Sequence, residues 1–127
     1  MNNKPKTYDE LFPSPYLKHD DIGDVDMILT ISSFDFEPIG EDNEMKGCLY
    51  FNEEEDKKLV LNKTNARTIS DIYGKRIEDW VGKRIALYKT EVPFAGKMVK
   101  AIRVRIDPPA EQPAGNSPQN QQTVWQQ

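Results

Sequence analysis

A chain of 127 residues holds one domain with an extension or a tail, and is too short for two ordinary domains. At 37% hydrophobic and 30% charged residues, it contains no run approaching the roughly 18 apolar residues of a membrane span. Its single cysteine, Cys48, excludes an internal disulfide, and the opening MNNKPKTYDELF lacks the apolar core of a signal peptide, so a cytoplasmic protein is expected. The net charge of −4 is unevenly divided. Residues 1–60 carry 6 Lys against 15 Asp and Glu, whereas residues 61–127 carry 11 Lys and Arg against 6 acids. Such asymmetry points to a polyanion-facing surface on the basic half, unless both signs are merely solvated faces.

In chain order, Tyr8, Leu11, Phe12, Tyr16 and Leu17 form an aromatic-rich extension in which Pro13 and Pro15 forbid a long helix. Apolar side chains of this kind are expected to pack against the core and cover part of it. Residues 25–36 read as a first strand, with Val25, Met27, Leu29 and Ile31 on one face. Phe34 and Phe36 fall out of that alternation, which places a β-bulge at Ser32-Ser33. Residues 38–47 read as an acidic loop. A second strand follows over 48–51, with Leu49 and Phe51 inward and Tyr50 outward, and then a solvated turn over 52–56.

Leu59, Val60 and Leu61 make a short third strand. Asn62 and Thr64 offer side-chain oxygens to the first amides of a helix, Ala66, Ile69, Ile72 and Tyr73 recur at helical spacing, and Gly74 suits the C-terminal cap. Residues 84–92 and 98–106 return to strand alternation, Ile85 and Leu87 facing inward with Ile102, Val104 and Ile106. Arg84, Ala86, Tyr88, Ala101, Arg103 and Arg105 face the other way. The order β-β-β-α-β-β is that of the OB-fold. The expected architecture is therefore mainly β: a five-stranded OB-fold-like barrel over residues 8–107, with one helix between the third and fourth strands and an N-terminal extension. Residues 108–127, rich in Pro and Gln, are expected to form a flexible, disordered tail.

No phosphate-cradling glycine loop, serine elbow or spaced Cys/His set is present, so no catalytic or metal-ligating residue and no cofactor is expected. His19 and Cys48 stand far apart, and Asp20, Asp21, Asp24 and Asp26 lack the register of a calcium loop and read as a solvated turn. The final hairpin is more informative. Single-stranded nucleic acid is held by cations along its phosphates and by aromatic faces against its bases. Lys83, Arg84, Tyr88, Lys89, Phe94, Lys97, Lys100, Arg103 and Arg105 lie in or beside that hairpin, and outward Tyr50 offers a second aromatic face. Singly, each residue is better explained by an exposed, salt-bridged sheet face; together, on this topology, they favour binding.

Three segments, YDELFPSPYLKHDDIG, LVLNKTNARTISDIYG and DWVGKRIALYKTEVPFAGKMVKAIRV, resemble a group of small, largely uncharacterised bacteriophage and prophage proteins. The resemblance spans most of residues 8–106. It implies an OB-like fold, residence in the cytoplasm of a bacterial host, and a place in phage DNA replication or recombination. Bacterial single-stranded-DNA-binding proteins typically end in an acidic tail that recruits partners, whereas this chain ends QNQQTVWQQ. The expected function is non-enzymatic binding of single-stranded nucleic acid, DNA in the first instance, with no membrane association. The alternative is a protein-interaction module that presents its surfaces to a phage or host replication or recombination protein.

Overall fold

The computed structural model describes residues 4–109. A one-turn helix, Tyr8–Leu11 (α1), precedes the strands Met27–Ile39 (β1), Glu44–Phe51 (β2) and Leu59–Val60 (β3). The main helix Lys63–Tyr73 (α2) follows, and then the strands Arg84–Phe94 (β4) and Lys97–Val104 (β5). The fold is thus mainly β, with one substantial helix between the third and fourth strands. No helix among the described residues is long and apolar enough to cross a membrane. Residues 38–47, read from composition as a loop, largely continue the first hairpin, whose pairing runs out to Ile39 and Glu44. The tight turn there uses Gly40 and Asn43, both at positive φ. Pro38 is tolerated because this half of β1 has no strand on its other side.

All five strands form one antiparallel sheet in the order β3-β2-β1-β4-β5. The sheet does not close into the expected barrel. Closure would require β3 to pair with β5, but β3 has only two residues and part of each edge is otherwise engaged. The outer edge of Lys58 pairs with the N-terminal extension: Lys58 N–H donates to Pro15 O and Leu17 N–H to Lys58 O, at 2.9 and 2.8 Å. On the other edge, the α2 side chain Asn65 bonds the backbone of β5. Strand pairing is replaced by a loop at one margin and a side chain at the other.

The expected bulge lies between Ile31 and Ser33, where the β1–β2 register shifts. It returns Phe34 to the side of Ile31, so that one strand feeds the core before and after the slip. Phe34 lies across β2 at Gly47, where a Cβ would come within 2.8 Å of the ring. Leu29, Ile31, Leu49, Phe51, Leu59, Ile85, Leu87 and Val104 form the buried face of the sheet. Ile69 of α2 and Trp80 complete it, each large side chain worth about 1.5–3 kcal/mol of burial. Asn62 caps α2 by accepting from Asn65 N–H at 2.8 Å. Gly74, at φ 99°, ends it, and its carbonyl accepts from Trp80 Nε1 at 2.7 Å. This last bond ties the helix end to the corner that enters β4.

Three expectations of burial are corrected. Val25 and Ile106 are exposed, because β1 begins at Met27 and β5 stops at Val104. Of the N-terminal apolar residues, Leu17 is buried and Tyr16 half-buried, but Tyr8, Leu11 and Phe12 remain exposed. The extension meets the sheet only from Pro15 onward, and Tyr8 and Phe12 pack on each other instead, with ring centroids 5.3 Å apart. Ile22, buried at the end of a 3₁₀ turn over His19–Asp21, joins the same core cluster as Leu17. The Pro/Gln-rich tail from residue 110 onward lies outside the described residues.

Candidate nucleic-acid interface

The β4–β5 hairpin turns at Ala95 and Gly96, with φ of 53° and 82°. Two successive left-handed residues match the twist of a tight hairpin, and they set Phe94 directly opposite Lys97. The β1–β4 ladder ends at Met27↔Leu87, so the half of β4 from Tyr88 onward pairs with β5 alone and projects from the sheet. Phe94 at its tip is 68% exposed. Met98 beside it is also exposed.

Register sorts the expected site residues by face. Arg84, Tyr88, Phe94, Lys97, Arg103 and Arg105 share the outer face, since Tyr88 pairs with Arg103 and Phe94 with Lys97. Lys89 and Lys100 lie on the opposite face, in line with buried Leu87 and Val104. Lys83 precedes β4 and sits 5.9 Å from the centre of the Tyr73 ring. Tyr50 is not brought to the hairpin; it lies on the outer face of β2, where its hydroxyl donates to Glu37. Lys58 Nζ donates to the same carboxylate at 2.6 Å and lies over both the Tyr16 and Tyr50 rings. Lys58 and then Tyr50 hold the Glu37 carboxyl below its usual range, and Glu37 raises the Tyr50 hydroxyl. These contacts brace β1, β2 and β3 across the outer face.

The acidic turn before β1 supplies partners to the hairpin cations. Arg105 donates to both Asp26 oxygens, at 2.8 and 3.0 Å, while its guanidinium stacks 3.8 Å from the Tyr88 ring centre. Asp26 is accordingly held below the usual carboxylate range by Arg105. Lys100 Nζ is 3.7 Å from Asp20, whose carboxyl is lowered by His19 first and by Lys100 second. Lys89 is 4.0 Å from Asp24. These pairs are largely exposed, so they cost little to exchange for another anion. Lys97 has no partner among the described residues.

Where β3 and β5 fail to meet, a cleft of about 330 Å³ opens, floored by Asn65 and Leu59 and rimmed by Lys18, His19, Lys100 and Arg103. Arg103 folds round the edge, its Nη1 donating to Ile102 O at 3.2 Å. Sequence reasoning overlooked this cleft and the role of Asn65. Its only signal was a second asparagine one turn into the helix, on the side of Ile69 and Ile72. The acids Asp20, Asp24 and Asp26 were visible as a turn, but not as partners of cations up to about 80 positions away. Cys48 is buried, and burial raises its thiol. Among the described residues, no group of three or more His, Cys, Asp or Glu is placed to hold a metal ion. No known protein family, curated protein or solved structure matches the chain.

Proposed function

We propose that the protein binds single-stranded nucleic acid, DNA in the first instance, along the outer face of the β4–β5 hairpin. One observation carries the reading: an exposed aromatic ring, Phe94, stands at the tip of a projecting hairpin directly opposite Lys97, with Arg103 and Arg105 further along the same face. A base stacks on Phe94 while Lys97 neutralises the adjoining phosphate. Arg105, already held over the Tyr88 ring, offers a cation further along, and phosphate exchanges with Asp26 for it. The proposed role is non-enzymatic, and the resemblance to phage proteins is what suggests DNA replication or recombination as its setting. The test is a salt titration with labelled single- and double-stranded oligonucleotides. Single-strand affinity should fall by roughly 0.7 log units per log of salt for each phosphate contact. A flat response, or no binding at low salt, would reject the reading.

A second reading has its own support. Phe36, Pro38 and Met45 form an exposed apolar face on the β1–β2 hairpin, Pro38 and Met45 being directly paired. Apolar surface of this kind serves contact with another protein better than contact with phosphates.

A further inference from the structure

We propose that the cleft between β3 and β5 accepts an extended, acidic peptide segment of a partner protein, which pairs with both strand edges and completes the sheet. The main chain is already set for it. Arg105 N–H donates to Ala86 O, so the odd residues of β5 turn their backbone groups towards β4 and the even ones turn theirs to the open edge. Asn65 takes Ile102 O and Val104 N–H, which leaves the backbone groups of Lys100 and the Ile102 N–H along the rest of that edge. On β3, Leu61 N–H donates to Gly47 O, so Val60, one residue earlier, faces away from β2 and into the cleft. Edges of this kind are templates for an added strand. Since β3 and β5 each lie two antiparallel steps along the chain of pairings from β1 (through β2 and β4), they run the same way along it. One inserted strand can therefore be antiparallel to both.

The rim selects the chemistry of that strand. Lys18, Lys100 and Arg103 line the opening; of the carboxylates beside them, Asp20 is exposed and 3.7 Å from Lys100, and Asp21 is paired with Lys57 and accepts from Lys18 N–H. Acidic side chains at alternate positions of an inserted strand would meet these cations, while its backbone meets Lys100, Ile102 and Val60. A nucleic-acid strand satisfies the charges but has no repeating amide to offer the two edges, so the peptide is favoured.

The test uses the full chain and a library of acetylated, amidated heptapeptides with Asp or Glu at alternate positions, read by residue-resolved amide exchange. Binding members should slow exchange at Val60, Lys100 and Ile102 together. N-methylation of alternate amides in such a peptide should abolish the effect, since only main-chain pairing needs those N–H groups. Replacing Lys100 and Arg103 by Glu should weaken binding by about tenfold or more, with melting measured in parallel. If the double variant does not fold, the N-methyl control still decides. Protection elsewhere, insensitivity to N-methylation, or no protection by any member would overturn the proposal. So would an oligothymidylate that protects the same three amides where peptides do not, because the cleft would then be a nucleic-acid groove.

Discussion

Asn65 Oδ1 accepts from Val104 N–H at 3.3 Å while its Nδ2 donates to Ile102 O at 3.0 Å, so a side chain that is 1% exposed stands in for a neighbouring strand. Val104 is buried and its N–H depends on Asn65, whereas Ile102 O also accepts from Arg103 Nη1 at 3.2 Å. Replacing Asn65 by Ala should cost about 1–3 kcal/mol, since it leaves the buried Val104 N–H unpaired while Ile102 O keeps Arg103 Nη1. Asn65→Asp should be at least as harmful, because it sets a carboxylate against Ile102 O. Urea unfolding measures both; a loss under about 0.5 kcal/mol would show that the edge is hydrated or re-paired.

The helix face carries a graded prediction. Ile69 is fully buried beneath the sheet, whereas Ile72 is half-buried. Ile69→Ala should therefore cost about 2–5 kcal/mol, and Ile72→Ala clearly less. Equal losses would mean that α2 is rotated from the orientation described.

How much of this was legible beforehand follows from the range of the interactions. The bulge, the Asn62 cap, Gly74 and the order of elements rest on neighbours in sequence, and each is where the pattern places it. The exposed tip ring was legible too, since a hairpin tip has nothing to bury it. Closure of the barrel was not legible, because it depends on whether a two-residue β3 reaches β5, and no local pattern reports that. The pairing of Asp20, Asp24 and Asp26 with Lys100, Lys89 and Arg105 was hidden for the same reason. Composition also misread residues 38–47, where acidic and proline residues sit in a paired hairpin.

At the hairpin, ring and charge should separate. Phe94→Ala should weaken single-strand binding by roughly 1–3 kcal/mol with an almost unchanged salt slope. Lys97→Ala should reduce the slope by about one phosphate's worth. Both variants should melt like the parent, since the tip lies outside the core. Asp26→Asn, which frees Arg105 of its charged partner on the outer face, should raise affinity at low salt and leave it unchanged at high salt. If Phe94→Ala and Lys97→Ala are both silent in stably folded protein, the hairpin is not the binding face.

The outer-face brace makes stability depend on pH in a definite direction. Glu37, Asp21 and Asp26 are all held below their unfolded values: Glu37 by Lys58, Asp21 by Lys57 against an opposing effect of burial, and Asp26 by Arg105. Their contribution is present above the unfolded carboxyl range of about 4 and is lost as pH falls through the lower folded values. Lys58 is raised by Glu37, so its share is complete below about pH 10 and is lost only above its folded value. The urea midpoint should stay level through neutral pH and drop on the acid side. Glu37→Gln should lower it at pH 7, and the gap should narrow as the parent's own carboxylate protonates. A constant gap down to about pH 3 would show that the carboxylate's charge is not what holds Lys58.

The bulge between Ile31 and Ser33 has a consequence for the order of assembly. It divides β1 between two ladders, residues 27–30 with β4 and residues 31–39 with β2. Each hairpin closes locally and can form within microseconds. The four pairs from Met27↔Leu87 to Thr30↔Arg84 join residues 54 to 60 positions apart, and with the bonds of Ile31 to Lys83 and Gly82 they bring the two hairpins into one sheet. Their closure entropy makes that short ladder the late, rate-setting event. Substitutions there should slow refolding, whereas changes at either hairpin tip should leave its rate alone.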